Sequence, residues 1–578
     1  MSMSNAEIRK VAVKHAAHNA SQHDGVAQAG SVIGKVLGEF PELRPRAKEV
    51  VPMINDAVQE VNSWTQEEQL RHIEDNHPEL LERRRVEEEE KTLPPLENVD
   101  EWPMVQTRFA PNPDGALHLG SAEPIIFCDE YAKMYNGHFI LRYEDTSAEV
   151  KPPIPEMYEA ILEDIEWLGV KVDEKYRQSD RLPIYYEHAE RLLRDGNAYV
   201  CTCEVKAFRK LYMSSMACPC RKLPPEEHLT RWEKMLDGSY EKGEAVVRIK
   251  TDLDDPNPAV RDWPALRISD VEHPLQGTKY RVWPLYNFSC GVDDHLMGVS
   301  HIIRGKEHDV NTTRQRWLQR HLGWRYPEII NVGRLGLEAG ILSKSKMRAG
   351  IEDGTYSGWD DPRLGTLRAL RRRGLQPEAI RAIMIHVGPK PVNVTISWDN
   401  IAAENRKIIE AISDRYFFVE DPVRLTVTGV PERRVARLPV HPDYPERGTR
   451  DFVLAPKGGT LEFNVSGTDL ERLRVSGVTR LMGVMNVEIT EVDGSGIEAR
   501  YHSTEYQLAR DEDAPFIHWL PAGVGVDAQV VQPDSTRVTG LAEERAQEMK
   551  SGEMFQFERF GYCRVDMAKP FVAYFTHK

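Results

Sequence analysis

The sequence predicts a multidomain protein in which a helical N-terminal segment leads into a parallel α/β region and then an all-β C-terminal region. Three observations carry this reading. The chain has 578 residues, well beyond the roughly 250–300 at which a single core stops growing, so three or more domains are expected. Between Val105 and about Leu193, short apolar runs such as Phe139-Ile140-Leu141 alternate with helical stretches such as Glu156 to Leu168, the pattern of a parallel sheet with crossover helices. After about Arg415 the texture becomes Thr/Val-rich alternation, as in Arg424 to Val430 and Val487 to Val492, broken by Gly and Pro turns. Such strands form barrels or sandwiches.

The N-terminal hundred residues are helix-like from Ser31 to Val61 and end in a charged run, Leu81 to Lys91. They read as a solvated helical appendage, with a partner-binding segment as the alternative. Thr92-Leu93-Pro94-Pro95 breaks the pattern and marks a boundary. Hydrophobic residues make up 40% and charged residues 29%, the mean hydropathy is -0.51, and no stretch approaches the roughly 18 apolar residues of a membrane span, so no membrane partner is expected. The first residues, MSMSNAEIRKVAVKHAAHNA, lack an apolar signal core, and seven cysteines are too few and too clustered for a secreted disulfide framework. A reducing cytoplasm is the expected compartment. The net charge of -16 excludes a protein that coats nucleic acid indiscriminately, while permitting a local basic face.

Two segments carry the signature of nucleotide chemistry. The first runs from Arg108 to Ala122 and holds Ala110, Pro111, His118, Gly120 and Ser121 between a strand-like start and an amphipathic run. A Pro/Gly loop entering a helix offers free N–H groups and a positive dipole to an anion; Gly120 lets a ring or phosphate approach, and His118 adds a donor. Alone, such a loop is also a common tight turn. The second, Ile341-Leu342-Ser343-Lys344-Ser345-Lys346, reads as a mobile Ser/Lys loop able to close on phosphates, or else as solvated surface. Their conjunction and order resemble the HIGH and KMSKS motifs of class I aminoacyl-tRNA synthetases.

Two further clusters stand out. Cys201, Cys203, Cys218 and Cys220 form C-x-C-x14-C-x-C, which in a reducing compartment reads as a four-thiolate structural zinc site, with reduced buried cysteines as the alternative. Pro362 to Arg381 carries Arg363, Arg368, Arg371, Arg372, Arg373 and Arg381 against one acid, Glu378. That stripe is either a solvated face or a surface for an RNA backbone.

The resemblance is closer than the class. Arg108 to Pro113, Leu141-Arg142-Tyr143-Glu144-Asp145-Thr146, Gly358 to Arg363, Ile517 to Leu520 and Phe557 to Tyr562 resemble the glutamyl/glutaminyl-tRNA synthetase group. The β-rich C-terminal half and the extension with Gly34-Lys35-Val36-Leu37-Gly38 resemble its archaeal branch. The resemblance implies a helical extension (1–100) and a Rossmann catalytic domain in two halves (101–195 and 281–350). It further implies an acceptor-end-binding insertion (196–280), a helical linking domain (351–415) and two anticodon-binding β barrels (416–578). Ser121 stands where many relatives have His, and Ile341 at the leading KMSKS lysine position, which leaves Lys344 as the cation.

The roles implied are as follows. His118 and Lys344 are catalytic; Ala110, Pro111, His118, Gly120, Ser121, Arg334, Leu335, Ser343 and Lys344 bind ATP with its Mg2+. Arg108, Glu144, Tyr286 and Arg304 hold the amino acid, and Arg368, Arg371 and Arg372 contact tRNA. Arg304 decides the substrate: a guanidinium binds a carboxylate bidentately but meets only one acceptor on a carboxamide, and glutaminyl relatives carry a small uncharged residue there. The expected activity is therefore ATP-dependent ligation of L-glutamate to tRNA(Glu), with tRNA(Gln) as a further acceptor, by a monomer. The alternatives are the glutaminyl enzyme and a non-catalytic tRNA-binding homologue.

Overall fold

The computed structural model describes residues 4–22, 25–40, 43, 46–77, 91–338, 340–474, 476–493 and 496–578. The charged run from Leu81 to Glu90 lies outside the described residues. The chain forms two compact units, Met1–Thr92 and Leu93–Lys578. The division falls at residue 92 rather than 100, because Leu93 is 4% exposed and packs in the core of the second unit.

The first unit holds α1 (Asn5–Gln22), α2 (Ala29–Glu39), α3 (Ala47–Asn62) and α4 (Gln66–Asn76). In α3, Val50, Ile54, Ala57, Val58 and Val61 repeat at helical spacing and are buried in one cluster with Ile8, Ala12 and Ala16 of α1. α4 starts at a capping box: Thr65 Oγ1 accepts from the Glu68 N–H at 3.3 Å, and the Glu68 carboxylate accepts from the Thr65 N–H at 2.8 Å.

The second unit opens as an alternating α/β layer. β1 (Gln106–Phe109), α5 (Leu119–Met134), β2 (His138–Tyr143), α6 (Pro155–Trp167) and β3 (Glu174–Arg177) give a parallel sheet in which Arg108 lies opposite Ile140 and Tyr143 opposite Arg177. The α5–β2 turn needs glycine, since a Cβ on Gly137 would sit 1.9 Å from the Val105 carbonyl oxygen. After α7 (Leu182–Arg194) the chain leaves this layer for a four-stranded antiparallel sheet, β4 (Ala198–Cys201), β5 (Val246–Ile249), β6 (Pro264–Ile268) and β7 (Val282–Pro284). That sheet carries α8 (Val205–Met213) and α9 (Pro225–Leu236) between its first two strands. The chain returns through α10 (Tyr286–Leu296) to β8 (His301–Gly305), α11 (Asp309–Leu322) and β9 (Glu328–Val332), with β8 and β9 parallel. The Ser300 N–H, at the foot of β8, donates to the Gln106 carbonyl of β1 at 2.9 Å, so β8 extends the parallel layer beside β1.

The segment that follows contains β10 (Leu335–Leu337), α12 (Lys344–Glu352), α13 (Leu367–Arg372), α14 (Pro377–Val387), β11 (Val394–Ile396) and α15 (Trp398–Ile409). It is not purely helical, for β10 and β11 pair in parallel. It has one small cluster of its own, Met347, Leu364 and Ala369, but Leu367, Leu370, Ile380 and Met384 are buried with Ile125, Ile126 and Leu141 of the α/β layer.

An antiparallel ribbon (434–439 with 449–454) and two seven-stranded sheets make up the sheets of the rest. One runs 516–517, 478–481, 485–492, 497–503, 422–428, 461–466, 519–521; the other runs 414–416, 554–557, 561–567, 571–577, 526–531, 537–542, 418–420. In each, the two end strands are separated in sequence by one residue, His518 in the first and Phe417 in the second. Each sheet must therefore curl back on itself, which selects barrels over sandwiches. The rings of Phe417 and His518 lie 5.7 Å apart, and Arg559 pairs with Asp469 at 2.6 Å beside them, fastening one closure to the other. Among the described residues no helix is long and apolar enough to cross a membrane.

Candidate active site

β1, the ends of β2 and β8, and the start of α10 converge on a cavity of about 640 Å³ lined by Arg108, Ala110, Asn112, Glu144, Tyr286 and Arg304 among others. The four residues expected to hold the amino acid thus face one space, although they span nearly two hundred positions. Arg108 is buried and donates from Nε to Asp294 Oδ1 at 3.2 Å. Burial opposes its charge, and Asp294 more than reverses that, so its pKa stands above the ordinary value. Asp294 also accepts from Arg142 Nη1 at 2.7 Å, and Arg142 Nη2 reaches Glu144 Oε1 at 3.3 Å. Burial raises the pKa of Asp294, but the two arginines win and hold it below the usual carboxylate range. Glu144 takes a hydrogen bond from the Cys290 thiol at 2.9 Å, and burial raises its pKa against the pull of Arg142. The hydroxyl of Tyr286 lies 3.4 Å from His308 Nδ1.

Arg304 differs from Arg108 and Arg142. It is 6% exposed, and its three hydrogen bonds go to neutral acceptors: Gln315 Oε1 at 3.0 Å, Thr312 Oγ1 at 2.6 Å and the Tyr326 hydroxyl at 3.1 Å. Its Nε is buried without a partner among the described residues. A buried guanidinium has five donors and is costly without a counter-charge, so this one is fixed in plane and left with capacity for an anion.

The nucleotide-like elements meet at the rim. His118 caps α5 with extended backbone, and Ser121 Oγ accepts from the His118 N–H at 3.4 Å, which gives the side chain at the fourth HIGH position a local structural partner. A Cβ on Gly120 would stand 3.2 Å from the His118 ring and 3.7 Å from the Leu335 carbonyl oxygen, so glycine lets these three backbone and side-chain groups crowd together. Lys344 Nζ donates to the Asn112 carbonyl at 3.2 Å and to Asp114 at 3.3 Å. The expected Ser/Lys loop is in fact the start of α12: Ser343 is its N-cap and Lys344 its first residue, an arrangement that turns free N–H groups toward the same loop. Arg334 has an exposed side chain and is tied through its N–H to Asn393 Oδ1 at 3.0 Å.

His118 Nδ1 is buried with no partner among the described residues. Burial, and then Lys344, pull its pKa down to about 4. A histidine at about 6.5 when unfolded and about 4 when folded binds fewer protons folded than unfolded across that window. Its contribution to stability is present above about 6.5 and is lost as the pH falls toward 4. His518, also held at about 4 by burial, acts in the same direction. His118→Asn should therefore reduce, without abolishing, the fall of the urea midpoint between pH 6.5 and 4.5; an unchanged pH slope would show that His118 titrates normally.

The arginine stripe does not stay together as a free face. Arg363 pairs with Asp361 at 2.7 Å, Arg368 with Glu163 at 2.5 Å and Asp164 at 3.3 Å, and Arg372 with Asp360 at 2.9 Å and Asp566 at 3.0 Å. Arg381 is paired with Asp129 and Glu130. Of the three expected to contact tRNA, Arg371 is the exposed one, and the other two hold α6 and the strand 561–567 to α13.

The four cysteines converge between β4 and α9. All four sulfurs lie within 4.8 Å of one another, with Cys201–Cys218 at 3.9 Å and Cys203–Cys220 at 3.7 Å. A tetrahedron of thiolates about 2.3 Å from zinc has edges of about 3.8 Å, so the set fits that ion. The Thr202 N–H and Arg231 Nη1 reach Cys220 Sγ at 3.5 and 3.4 Å, as donors to a thiolate do.

The pattern described as "tRNA synthetases class I (E and Q), catalytic domain" matches residues 104–411, and the two described as "anti-codon binding domain" of the same group match 413–504 and 516–566. The chain belongs to this family. Proteins named "Glutamate--tRNA ligase" from Thermococcus kodakarensis, Pyrococcus furiosus and Methanothermobacter thermautotrophicus are 53%, 52% and 46% identical to it, each over 99% of this chain and 100% of their own. A solved glutamate tRNA ligase from Elizabethkingia meningosepticum aligns at 22% identity over 54% of this chain and 70% of its own, with a TM-score of 0.39.

In this class I synthetase, sequence reasoning missed Asp294, which aims two arginines, and Gln315, Thr312 and Tyr326, which fix a third. The doublet Asp293-Asp294 inside an otherwise largely apolar stretch of α10 was a usable signal, since both are fully buried and buried carboxylates are paired. The three around Arg304 carried none.

Proposed function

We propose that the chain is a glutamate–tRNA ligase: it activates L-glutamate with ATP and transfers it to the terminal adenosine of tRNA(Glu). The relatives bearing that activity in their names support the reading, and the observation that carries the substrate is Arg304, a buried cation with no carboxylate partner among the described residues, facing the cavity that Arg108 and Glu144 also line. Glutamate brings an ammonium and two carboxylates. Glu144 takes the ammonium, Arg304 the side-chain carboxylate, and Arg108 orients the carboxylate that reacts. Tyr286 forms a wall.

ATP, as its Mg2+ complex, occupies the rim between Ala110, Pro111, His118, Gly120, Ser121, Arg334, Leu335, Ser343 and Lys344. The metal neutralises phosphate charge. The glutamate α-carboxylate attacks the α-phosphate, pyrophosphate leaves, and the 2'-hydroxyl of the terminal adenosine then attacks the acyl carbon, taking the glutamyl group as AMP leaves and the hydroxyl proton is released. His118 and Lys344 donate to charge that grows on the phosphates, and the rest of the site orients the reactants. The parallel layer with β8 beside β1 supports a Rossmann-type domain (101–195 and 281–350). The antiparallel sheet fits an acceptor-end-binding insertion at 196–280. The segment 351–415 links that domain to anticodon-reading barrels (416–578), with exposed Arg371 as a phosphate contact. The test is charging of separate tRNA(Glu) and tRNA(Gln) transcripts with each amino acid. Faster ligation of glutamine than glutamate, or no ATP-dependent ligation, would end this reading.

The four thiolates hold structural zinc with no open position for a substrate. One equivalent of zinc per chain is expected in freshly purified, chelator-free protein, and Cys218→Ser should release it. Less than half an equivalent would count against the site.

tRNA(Gln) is the second acceptor. The two anticodons differ chiefly at the third base, C against G, and rejecting one needs a buried donor–acceptor set worth about 1–3 kcal/mol per contact. A permissive barrel omits it. Glutamate should be loaded on both transcripts within about a hundredfold of each other in kcat/KM, roughly 2.7 kcal/mol; a wider gap refutes non-discrimination.

A further inference from the structure

We propose that the cavity between α15, the segment before α12 and the barrel of residues 414–420 and 526–577 is a second ligand site, which takes a small molecule carrying an oxyanion on a flat apolar body. The cavity, about 900 Å³, lies apart from the residues assigned to glutamate and is bounded by Ile341, Arg373, Leu375, Trp398, Ile401 and Phe575. Arg373 is the reason for the charge. It is 5% exposed, its side chain makes no ion pair and its Nε no hydrogen bond among the described residues, and its guanidinium lies 4.4 Å from the centroid of the Trp398 ring. Every other arginine of the stripe that is withdrawn from solvent has a carboxylate within 3.3 Å. A buried cation without an anion is unfavourable by several kcal/mol unless something compensates it, and the π face of Trp398 does so only in part. Burial alone pulls the Arg373 pKa down to about 10, so at neutral pH the residue stays charged and unmatched.

The body follows from the walls. Leu375 and Ile401 are buried and Phe575 and Ile341 half-buried, while the charged lining residues Asp399, Arg406, Asp534 and Lys578 are exposed, so the buried part of the cavity beside the guanidinium suits apolar atoms and the charges stand at its mouth. An RNA phosphate is disfavoured because it sits on a hydrated backbone and Arg373 is withdrawn from the surface. The Ile341 wall also leads, three residues on, to Lys344, and the Ile341 carbonyl accepts from the Gly365 N–H at 3.2 Å; a ligand here touches the strand of chain that carries the nucleotide-facing lysine.

The experiment is calorimetric titration of the full chain with 2-naphthoate, with its neutral counterpart 2-naphthamide, and with inorganic phosphate. One equivalent of 2-naphthoate should bind, at least tenfold more tightly than the amide and than phosphate. Arg373→Gln should weaken it at least tenfold. Because that variant removes a buried side chain, Ala402→Trp, which fills the cavity from its half-exposed wall and leaves Arg373 in place, should also abolish binding while the Tm is kept. Equal affinity for acid and amide, unchanged affinity in both variants, or no saturable binding by 2-naphthoate would overturn the proposal. Tighter binding of phosphate than of 2-naphthoate would do the same, by removing the apolar body.

Discussion

Arg304→Ala should lower kcat/KM for glutamate in tRNA-dependent ATP–pyrophosphate exchange by between about thirtyfold and several thousandfold, the range of about 2–5 kcal/mol for truncating one member of a buried charged pair. The geometry places the loss in recognition rather than in chemistry. Gln315, Thr312 and Tyr326 hold the guanidinium in one plane with neutral contacts, so its charge is unspent until a carboxylate arrives. KM for glutamate should therefore rise more than kcat falls. Arg304→Gln sharpens the test. It keeps a planar polar group while removing the charge, so it should narrow the preference for glutamate over glutamine by at least tenfold. A preference that stayed constant while both substrates slowed equally would make Arg304 a structural residue and transfer the selection to Arg108 or Tyr286.

Lys344→Ala should slow adenylate formation by about two to three orders of magnitude, the scale for removing one preorganised donor to transition-state charge. In the structure Lys344 rests on Asn112 and Asp114. Burial lowers its pKa from the ordinary lysine value and Asp114 works the other way. Polyphosphate would displace Asp114 as the counter-charge. Single-turnover formation of adenylate at saturating ATP is the measurement, because it separates a lost transition-state contact from weaker ATP binding. If the rate held and only the KM for ATP rose, Lys344 would be a ground-state anchor. If neither moved, the start of α12 would be outside the reaction.

The chain reads unevenly. The α/β alternation from Val105, the strands after Arg415 and the paired cysteines were legible because periodicity and close spacing are local properties. Arg108, Glu144, Tyr286 and Arg304, proposed to hold the amino acid, each sit in a short recognisable string, and one cavity gathers all four. The arginine stripe shows the limit. Six basic residues in twenty look like one face, yet in the fold Arg363, Arg368, Arg372 and Arg381 each meet a carboxylate, three of them from another element. Their partners Asp164, Asp129 and Asp566 lie about two hundred or more positions away, where no window can see them.

The same distance explains the barrels and the buried charges. Alternation fixed that the C-terminal strands pair, but whether the sheets stay open or close is decided by which strands end up at the edges, and that is settled by the one-residue links at Phe417 and His518. Sequence alone determined which residue types were available for the proposed glutamate and nucleotide sites. Tertiary structure decided which of their charges are already paired, since Asp294 meets Arg108 and Arg142 while Arg304 hydrogen-bonds to neutral groups and Arg373 lies over Trp398, neither with an ion pair among the described residues. The physical reason is that the cost of a buried charge depends on what stands within a few ångströms of it, and that neighbourhood exists only once the chain has folded.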